Sequence, residues 1–265
     1  MRAVADGAYA NLELPKVLRD KRIHGRDAAF TTELVYGAIR LQGLYDPIIA
    51  AAAGRPLSKV DGNDLDTLRL GAHQLLGMRV PTHAAVDETV GLARRVNGAG
   101  AAGFVNAVMR RISERSLEEW LAVVVPEGAP SSARLAVEQS HPEWVVKALR
   151  AALLGHHAST PETVDADLER LLVSDNAPPR VSLVARPGLA DVDELVEAGA
   201  ERSALSPVGA VLGGGDPGGI PAVREGRAAV QDEGSQLLAL ALAAVPVEST
   251  GTEQWLDLCA GPGGK

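Results

Sequence analysis

The period of its apolar residues sets the strongest limit on what this chain can fold into. Phe30, Leu34, Ala38 and Leu41 recur at the spacing of one helix face. That rhythm is helical and cannot be served by a strand, whose faces alternate every second residue. The same spacing returns at Leu65, Leu68, Ala72, Leu75 and Leu76, and at Phe104, Val105, Val108, Met109 and Ile112. Helices are therefore expected over 8–19, with Leu12, Val17 and Leu18 on one apolar face, and over 27–41, 44–53 and 64–78, the last capped by Asp64. Another starts at Thr82 or His83 and runs through Val86, Val90 and Ala93. Gly54 with Pro56, and Pro81, supply stops, and the small residues at 98–103 read as a turn.

Helical signals resume at 131–138, at 142–154 with Trp144, Val145, Ala148 and Leu149 on the apolar side, and at 162–172. The pattern changes at Asn176-Ala177-Pro178-Pro179, a strong break. Residues 180–185 are β-branched and alternating, so they read as a strand. A helix over 191–198, strands over 208–212 and 228–231, a helix over 235–245 and a buried strand over 254–258 complete the prediction. The sequence thus predicts a mainly α domain at 1–125, a helical connector at 126–174, a small α/β domain at 175–231 and the start of a further α/β domain at 232–265.

Composition agrees. Hydrophobic residues make up 46 % of the 265 but aromatics only 3 %, which favours closely packed helices with small side chains. A single cysteine excludes an intrachain disulfide, and no Cys/His group has zinc spacing; His156-His157 is an isolated, solvent-facing pair. No apolar run reaches the roughly 18 residues of a membrane span, and no secretory signal opens the chain. A soluble, cytoplasmic, metal-free monomer is expected.

Net charge is −8, yet residues 1–125 carry 16 Lys+Arg against 14 Asp+Glu and residues 126–265 carry 10 against 20. A nucleic-acid surface would be a local patch in the first half. Arg94-Arg95 and Arg110-Arg111 with Arg115 are the best candidates. An ordinary helix surface, with Asp87, Glu88 and Glu114 as ion-pair partners, explains them equally well. Arg180 and Arg186, flanking the strand at 180–185, are weaker candidates.

The chemistry-bearing string closes the sequence. The apolar run 254–258 leads into Cys259, Ala260, Gly261, Pro262, Gly263, Gly264 and Lys265. Glycines after a strand let the backbone approach a ligand where a Cβ would collide. Glycines alone fit an ordinary tight turn as well. The full string from Asp257 to Lys265 resembles the first motif of the RNA 5-methylcytosine methyltransferases, usually Asp-Leu-Cys-Ala-Ala-Pro-Gly-Gly-Lys, with Gly261 replacing the second alanine. Val230-Gln231-Asp232-Glu233-Gly234-Ser235-Gln236, His141-Pro142-Glu143-Trp144 and Asn176-Ala177-Pro178-Pro179-Arg180 are similar to that family's preceding segments. Residues 27–112 resemble the helical domain of the antitermination factor NusB. The likeness there runs through Arg26-Asp27, Glu33-Leu34-Val35-Tyr36-Gly37, Gln74-Leu75-Leu76, 83–88 and 104–111.

The resemblance, to the bacterial 16S rRNA (cytosine 5)-methyltransferases of the RsmB/Sun/Fmu family, covers essentially the whole chain. It implies a NusB-like helical bundle, a small α/β segment and the truncated start of a Rossmann-like methyltransferase domain. It implies S-adenosyl-L-methionine as cofactor, held by Cys259 to Lys265, and 16S rRNA as partner. In the family a cysteine thiolate adds to carbon 6 of the cytosine, so that carbon 5 can attack the cofactor's methyl. The two cysteines used lie in later Pro-Cys and Thr-Cys motifs that this chain lacks, and Cys259 occupies the cofactor loop. The expectation is an N-terminal, RNA-binding fragment that is inactive alone and binds cofactor weakly if at all. Two other readings are a non-catalytic NusB-like antitermination module, which the closing motif disfavours, and a helical interaction domain without an RNA role.

Overall fold

A computed structural model describes residues 1–78, 80–177, 180–246 and 256. It divides into two compact units, Met1–Ala177 and Pro178–Lys265.

In the first unit the elements are α1 (Arg2–Ala5), α2 (Ala10–Asp20), α3 (Gly25–Arg40), α4 (Gln42–Ala53), α5 (Gly62–Ala72), α6 (Thr82–Val96) and α7 (Ala99–Ser113). Then come α8 (Leu117–Val124), α9 (Ser131–Glu138), α10 (Glu143–Gly155) and α11 (Val164–Asn176). The core joins the expected stripes of α5 and α7 to an apolar face of α4. Leu44, Tyr45, Ile48, Ile49 and Ala52 of α4 meet Val105, Val108, Met109 and Ile112 of α7, with Leu68 and Ala72 of α5 between them. Small side chains bring these helices close. A Cβ on Gly71 of α5 would lie 2.5 Å from Met109 Sδ and 2.8 Å from Thr89 Cγ2. A smaller core of Leu135, Val146, Leu168 and Leu172 joins α9, α10 and α11.

The helix ends show why each element stops where it does. Gly54, with φ +64°, ends α4 in the left-handed conformation open to glycine. Asp61 rather than Asp64 caps α5, its carboxylate accepting from the amides of Asn63 and Asp64. Asp64 instead accepts from Asn97 Nδ2 at 2.8 Å and so fastens the end of α6 to the start of α5. Ser116 and Glu119 form a reciprocal capping box on α8, a helix the apolar pattern does not announce. Ser140 Oγ accepts from Gly43 N–H and donates to the Arg40 carbonyl, both at 2.9 Å, bridging the α3–α4 junction to the residues before α10.

Three further expectations are corrected in this unit. The glycine-rich stretch 98–103 is not a turn; only Gly98, at φ +95°, leaves helical space, and α7 already runs from Ala99. Leu12, Val17, Phe30 and Trp144 do not face the core but are 64 %, 46 %, 47 % and 73 % exposed. Periodicity identifies an apolar stripe, but not whether anything covers it. The predicted helix 64–78 ends as α-helix at Ala72 and continues as one π-helical turn, His73–Gly77.

The second unit holds β1 (Val181–Ala185), α12 (Val192–Glu197), β2 (Ala200–Arg202), β3 (Gly209–Leu212), α13 (Pro221–Arg224), β4 (Ala228–Val230) and α14 (Glu233–Ala243). The sheet order is β2-β3-β1-β4, and every neighbouring pair is antiparallel. Leu183 of β1 sits opposite Ala210 on one side and Val230 on the other. It heads a core with Leu195, Ala200, Leu212, Ile220 and Ala228. Strand β2, of three residues, escapes a reading based on alternation. Gln236 of α14 is buried, and its amide donates to the carbonyls of Leu183 and Gln231 at 3.2 and 2.8 Å. Gly209 lets β3 pass close to this side chain, since a Cβ there would lie 2.6 Å from Gln236 Oε1 and 3.0 Å from the Cβ atoms of Ser203 and Ser206. The strand expected over 254–258 and the loop Cys259 to Lys265 lie outside the described residues, Leu256 excepted.

Candidate nucleic-acid interface

Helices α6 and α7 pack as a hairpin joined by Asn97 and Gly98. The sequence-predicted arginines lie at its two ends. Arg94 and Arg95 occupy the last turn of α6, where cations complement the helix dipole. Arg110 and Arg111 occupy the last turn of α7 and Arg115 follows it. Arg110 lies eleven residues into α7, about 16 Å from the hairpin turn at 1.5 Å per residue. The five arginines therefore form two groups.

All five are exposed, and among the described residues none is within ion-pair distance of a carboxylate. The pairing with Asp87, Glu88 and Glu114 that would make this an ordinary charged surface is not formed. Arg110 Nε donates to Asn106 Oδ1 at 3.3 Å. Arg111 Nη1 donates to the Ala52 carbonyl at 2.9 Å, closing the C-terminal end of α4. Arg115 lies over the Trp120 ring, 5.0 Å from its centroid, and its charge helps hold the Glu119 carboxyl below its usual range, after the dominant hydrogen bonds from Ser116. Such arginines present guanidinium donors outward at little ordering cost, which suits phosphate oxygens and base faces.

One member of the second group escapes sequence reading. Arg55 follows the Gly54 stop and stacks on Phe104 of α7, 4.1 Å from the ring centroid. A Cβ on Gly54 would be 3.9 Å from Arg111 Nη1, so Arg55 and Arg111 flank the same helix end. Nothing local pairs residues 55 and 104; only the α4–α7 packing does. The weaker candidates are engaged elsewhere. Arg180 pairs with Glu201 at 3.0 Å, and Arg186 donates to the Gly226 carbonyl at 2.8 Å.

Two other places hold polar groups. A cleft of about 530 Å³ is lined by residues including Arg40, Asp46, His141 and Glu143. Its charges are of mixed sign, and Asp46 is committed to a two-oxygen pairing with Arg69, at 2.7 Å for both bonds. The second place is internal. His73, in the π-turn, lies with Nδ1 2.8 Å from the Tyr45 hydroxyl and Nε2 3.9 Å from Glu33 Oε1. Burial pulls the His73 pKa down, against the Glu33 charge, and pushes the Tyr45 hydroxyl up. The ring tautomer sets which of Nδ1 and the Tyr45 hydroxyl donates in this contact. Gly37 and Gly77 enclose the ring, for a Cβ on either would come within 2.5 Å of a ring nitrogen. The Glu33-to-Gly37 and Gln74-to-Leu76 strings thus pack around the buried Tyr45–His73 pair.

Among the described residues no helix is long and apolar enough to cross a membrane, and no group of His, Cys, Asp and Glu could hold a metal. Residues 2–114 match the NusB family. A Mycobacterium tuberculosis H37Rv protein named as a methyltransferase, Rv1407, is 45 % identical over all of this chain and 57 % of its own length. Ribosomal RNA small subunit methyltransferase B of Pseudomonas putida is 35 % identical, with the same coverage. The chain thus spans 57 % of the length of these curated relatives. The crystal structure of PH0851 is similar in fold, with a TM-score of 0.60 at 18 % identity, over 86 % of this chain and 50 % of that one.

Proposed function

We propose that the chain, whose residues 2–114 match the NusB family and whose whole length is similar to a ribosomal RNA small subunit methyltransferase B, positions RNA for an S-adenosylmethionine-dependent enzyme that methylates carbon 5 of a cytosine in 16S rRNA. In this reading residues 1–125 bind RNA, 126–174 connect, 175–231 form a pre-catalytic α/β domain and 232–265 begin the cofactor domain. The protein works in the cytoplasm as a monomer without metal. Arg94, Arg95, Arg110, Arg111 and Arg115 contact the RNA backbone. Cys259 to Lys265 hold the methionine end of the cofactor, which supplies the methyl group.

The observation that supports this reading best is that five exposed arginines on and just after the α6–α7 hairpin have, among the described residues, no carboxylate within ion-pair distance, in a chain of net charge −8. Fluorescence anisotropy with a labelled 16S rRNA fragment, repeated across salt concentrations, tests it. Replacing Arg110 and Arg111 by Ala should weaken binding and flatten the salt dependence by about one to two units of slope. Binding that does not change sinks the RNA assignment. A chain whose single cysteine is Cys259 cannot supply two catalytic thiols. This 265-residue polypeptide alone should transfer no methyl group from labelled cofactor to 16S rRNA, and measurable turnover refutes that.

A further inference from the structure

The positive balance of the first 125 residues is concentrated in two segments, of which 89–113, with four arginines and no carboxylate, is described above. Residues 16–26 hold Lys16, Arg19, Lys21, Arg22 and Arg26 against Asp20 alone, a net +4 in eleven residues. The rest of those 125 residues is net negative. This segment is the end of α2, the connection to α3 and the first turn of α3. All five cations are exposed, and among the described residues none has an ion-pair partner. Arg22 stands at φ +53°, which bends the chain sharply between the two helices.

Apolar groups are interleaved with this charge. Leu12, Lys16 and Arg19 share one stripe of α2 by their i, i+4, i+7 spacing, and Leu12 is 64 % exposed. Two aromatic rings bracket the segment: Tyr9 at the start of α2 is 73 % exposed, and Phe30, one turn beyond Arg26 on α3, is 47 % exposed. An aromatic ring left in water beside uncompensated cations is the combination that single-stranded nucleic acid uses, phosphates on the cations and bases on the rings. A lipid surface would instead want a continuous apolar face. Here α2 is eleven residues long, contains Pro15 and alternates apolar with charged groups, Glu13 among them.

We propose that the α2–α3 turn is a second RNA-docking surface, separate in sequence from the arginines of α6 and α7, which takes an unpaired stretch of the RNA strand. The proposal rests on the RNA-binding reading above. Phosphates meet Arg19, Lys21 and Arg22, and unstacked bases meet Phe30 and Tyr9.

The test uses the whole 265-residue chain and two labelled 16S rRNA fragments, one with a single-stranded loop and one fully duplex. The variant Arg19→Ala/Lys21→Ala/Arg22→Ala should bind the loop fragment about tenfold more weakly, with the salt slope reduced by about two. Phe30→Ala should weaken loop binding several-fold, leave duplex binding and the salt slope unchanged, and so report stacking rather than charge. Far-ultraviolet circular dichroism and the unfolding midpoint should match the parent, since these side chains lie outside the core. Loop binding by the triple variant equal to the parent, while Arg110→Ala/Arg111→Ala weakens it, overturns this proposal and leaves the wider reading intact. A parent chain that binds neither fragment overturns both. Selective loss of binding to phosphatidylserine vesicles, with RNA affinity retained, assigns the surface to lipid and also overturns it.

Discussion

The Tyr45 hydroxyl and His73 Nδ1 lie 2.8 Å apart in the interior of the helical unit, with Tyr45 fully buried and His73 3 % exposed. The pair is framed by glycines because no side chain fits beside it. A Cβ on Gly37 would sit 2.0 Å from His73 Nε2.

Gly37→Ala should therefore destabilise the unit by about 2–3 kcal/mol through overpacking. Gly103→Ala is its opposite. Gly103 lies inside α7 without positive φ, and a Cβ there would meet nothing within 4 Å, so the change should stabilise by about 0.5–1 kcal/mol. Urea unfolding of the two variants beside the parent should show shifts of opposite sign.

His73 also makes stability depend on pH. Its folded pKa is depressed by burial, so below about 6.5, the unperturbed value, the unfolded chain takes up a proton that the folded chain refuses. Stability from this group is complete above that pH and is lost as pH falls towards the folded pKa. Unfolding free energy measured at pH 7.5, 6.5 and 5.5 should fall with acid, and His73→Gln should remove part of that slope. An equal slope in both proteins contradicts it.

Arg69 binds Asp46 through two 2.7 Å hydrogen bonds, and Asp66, within 3.4 Å of Arg69, also pairs with Arg2 at 3.0 Å. With Arg69 and Asp66 buried, Asp46→Ala should cost about 3 kcal/mol, because it leaves a guanidinium in the interior short of its partner. The double change Asp46→Ala/Arg69→Met should cost less than Asp46→Ala alone. Thermal unfolding of the three chains decides.

In the second unit, Gln236→Leu leaves the Leu183 and Gln231 carbonyls without this donor and should destabilise that unit by about 2 kcal/mol. Hydrogen exchange at the β1 amides should rise, while amides in α4 and α7 should keep their protection. Uniform loss across both units would count against the assignment of Gln236 as a local fastening.

Much of the helical unit could be read from spacing alone. Leu68 and Ala72 of α5 and the buried stripe of α7 fall where apolar residues repeat, and Gly54 stops α4 as expected. What spacing misses is tertiary. Leu12 and Phe30 sit on periodic stripes yet stay exposed, with no helix among the described residues covering them. Arg55 joins the interface only through Phe104, forty-nine positions away. Asp61 takes the cap expected of Asp64, since the neighbouring aspartate is claimed by Asn97. The arginine pairs are legible as charge, but that no described carboxylate reaches them is visible only in the structure.

The Ser140 bridge has a kinetic meaning. Its two hydrogen bonds join positions 97 and 100 residues apart. Closing a flexible loop of that length costs about 4 kcal/mol of chain entropy, and two hydrogen bonds return roughly half of it. The bridge therefore cannot nucleate anything. It closes after the helices between its ends have folded and brought Gly43 and Ser140 together, so it records completed assembly, and its opening should be among the first events when the helical unit comes apart.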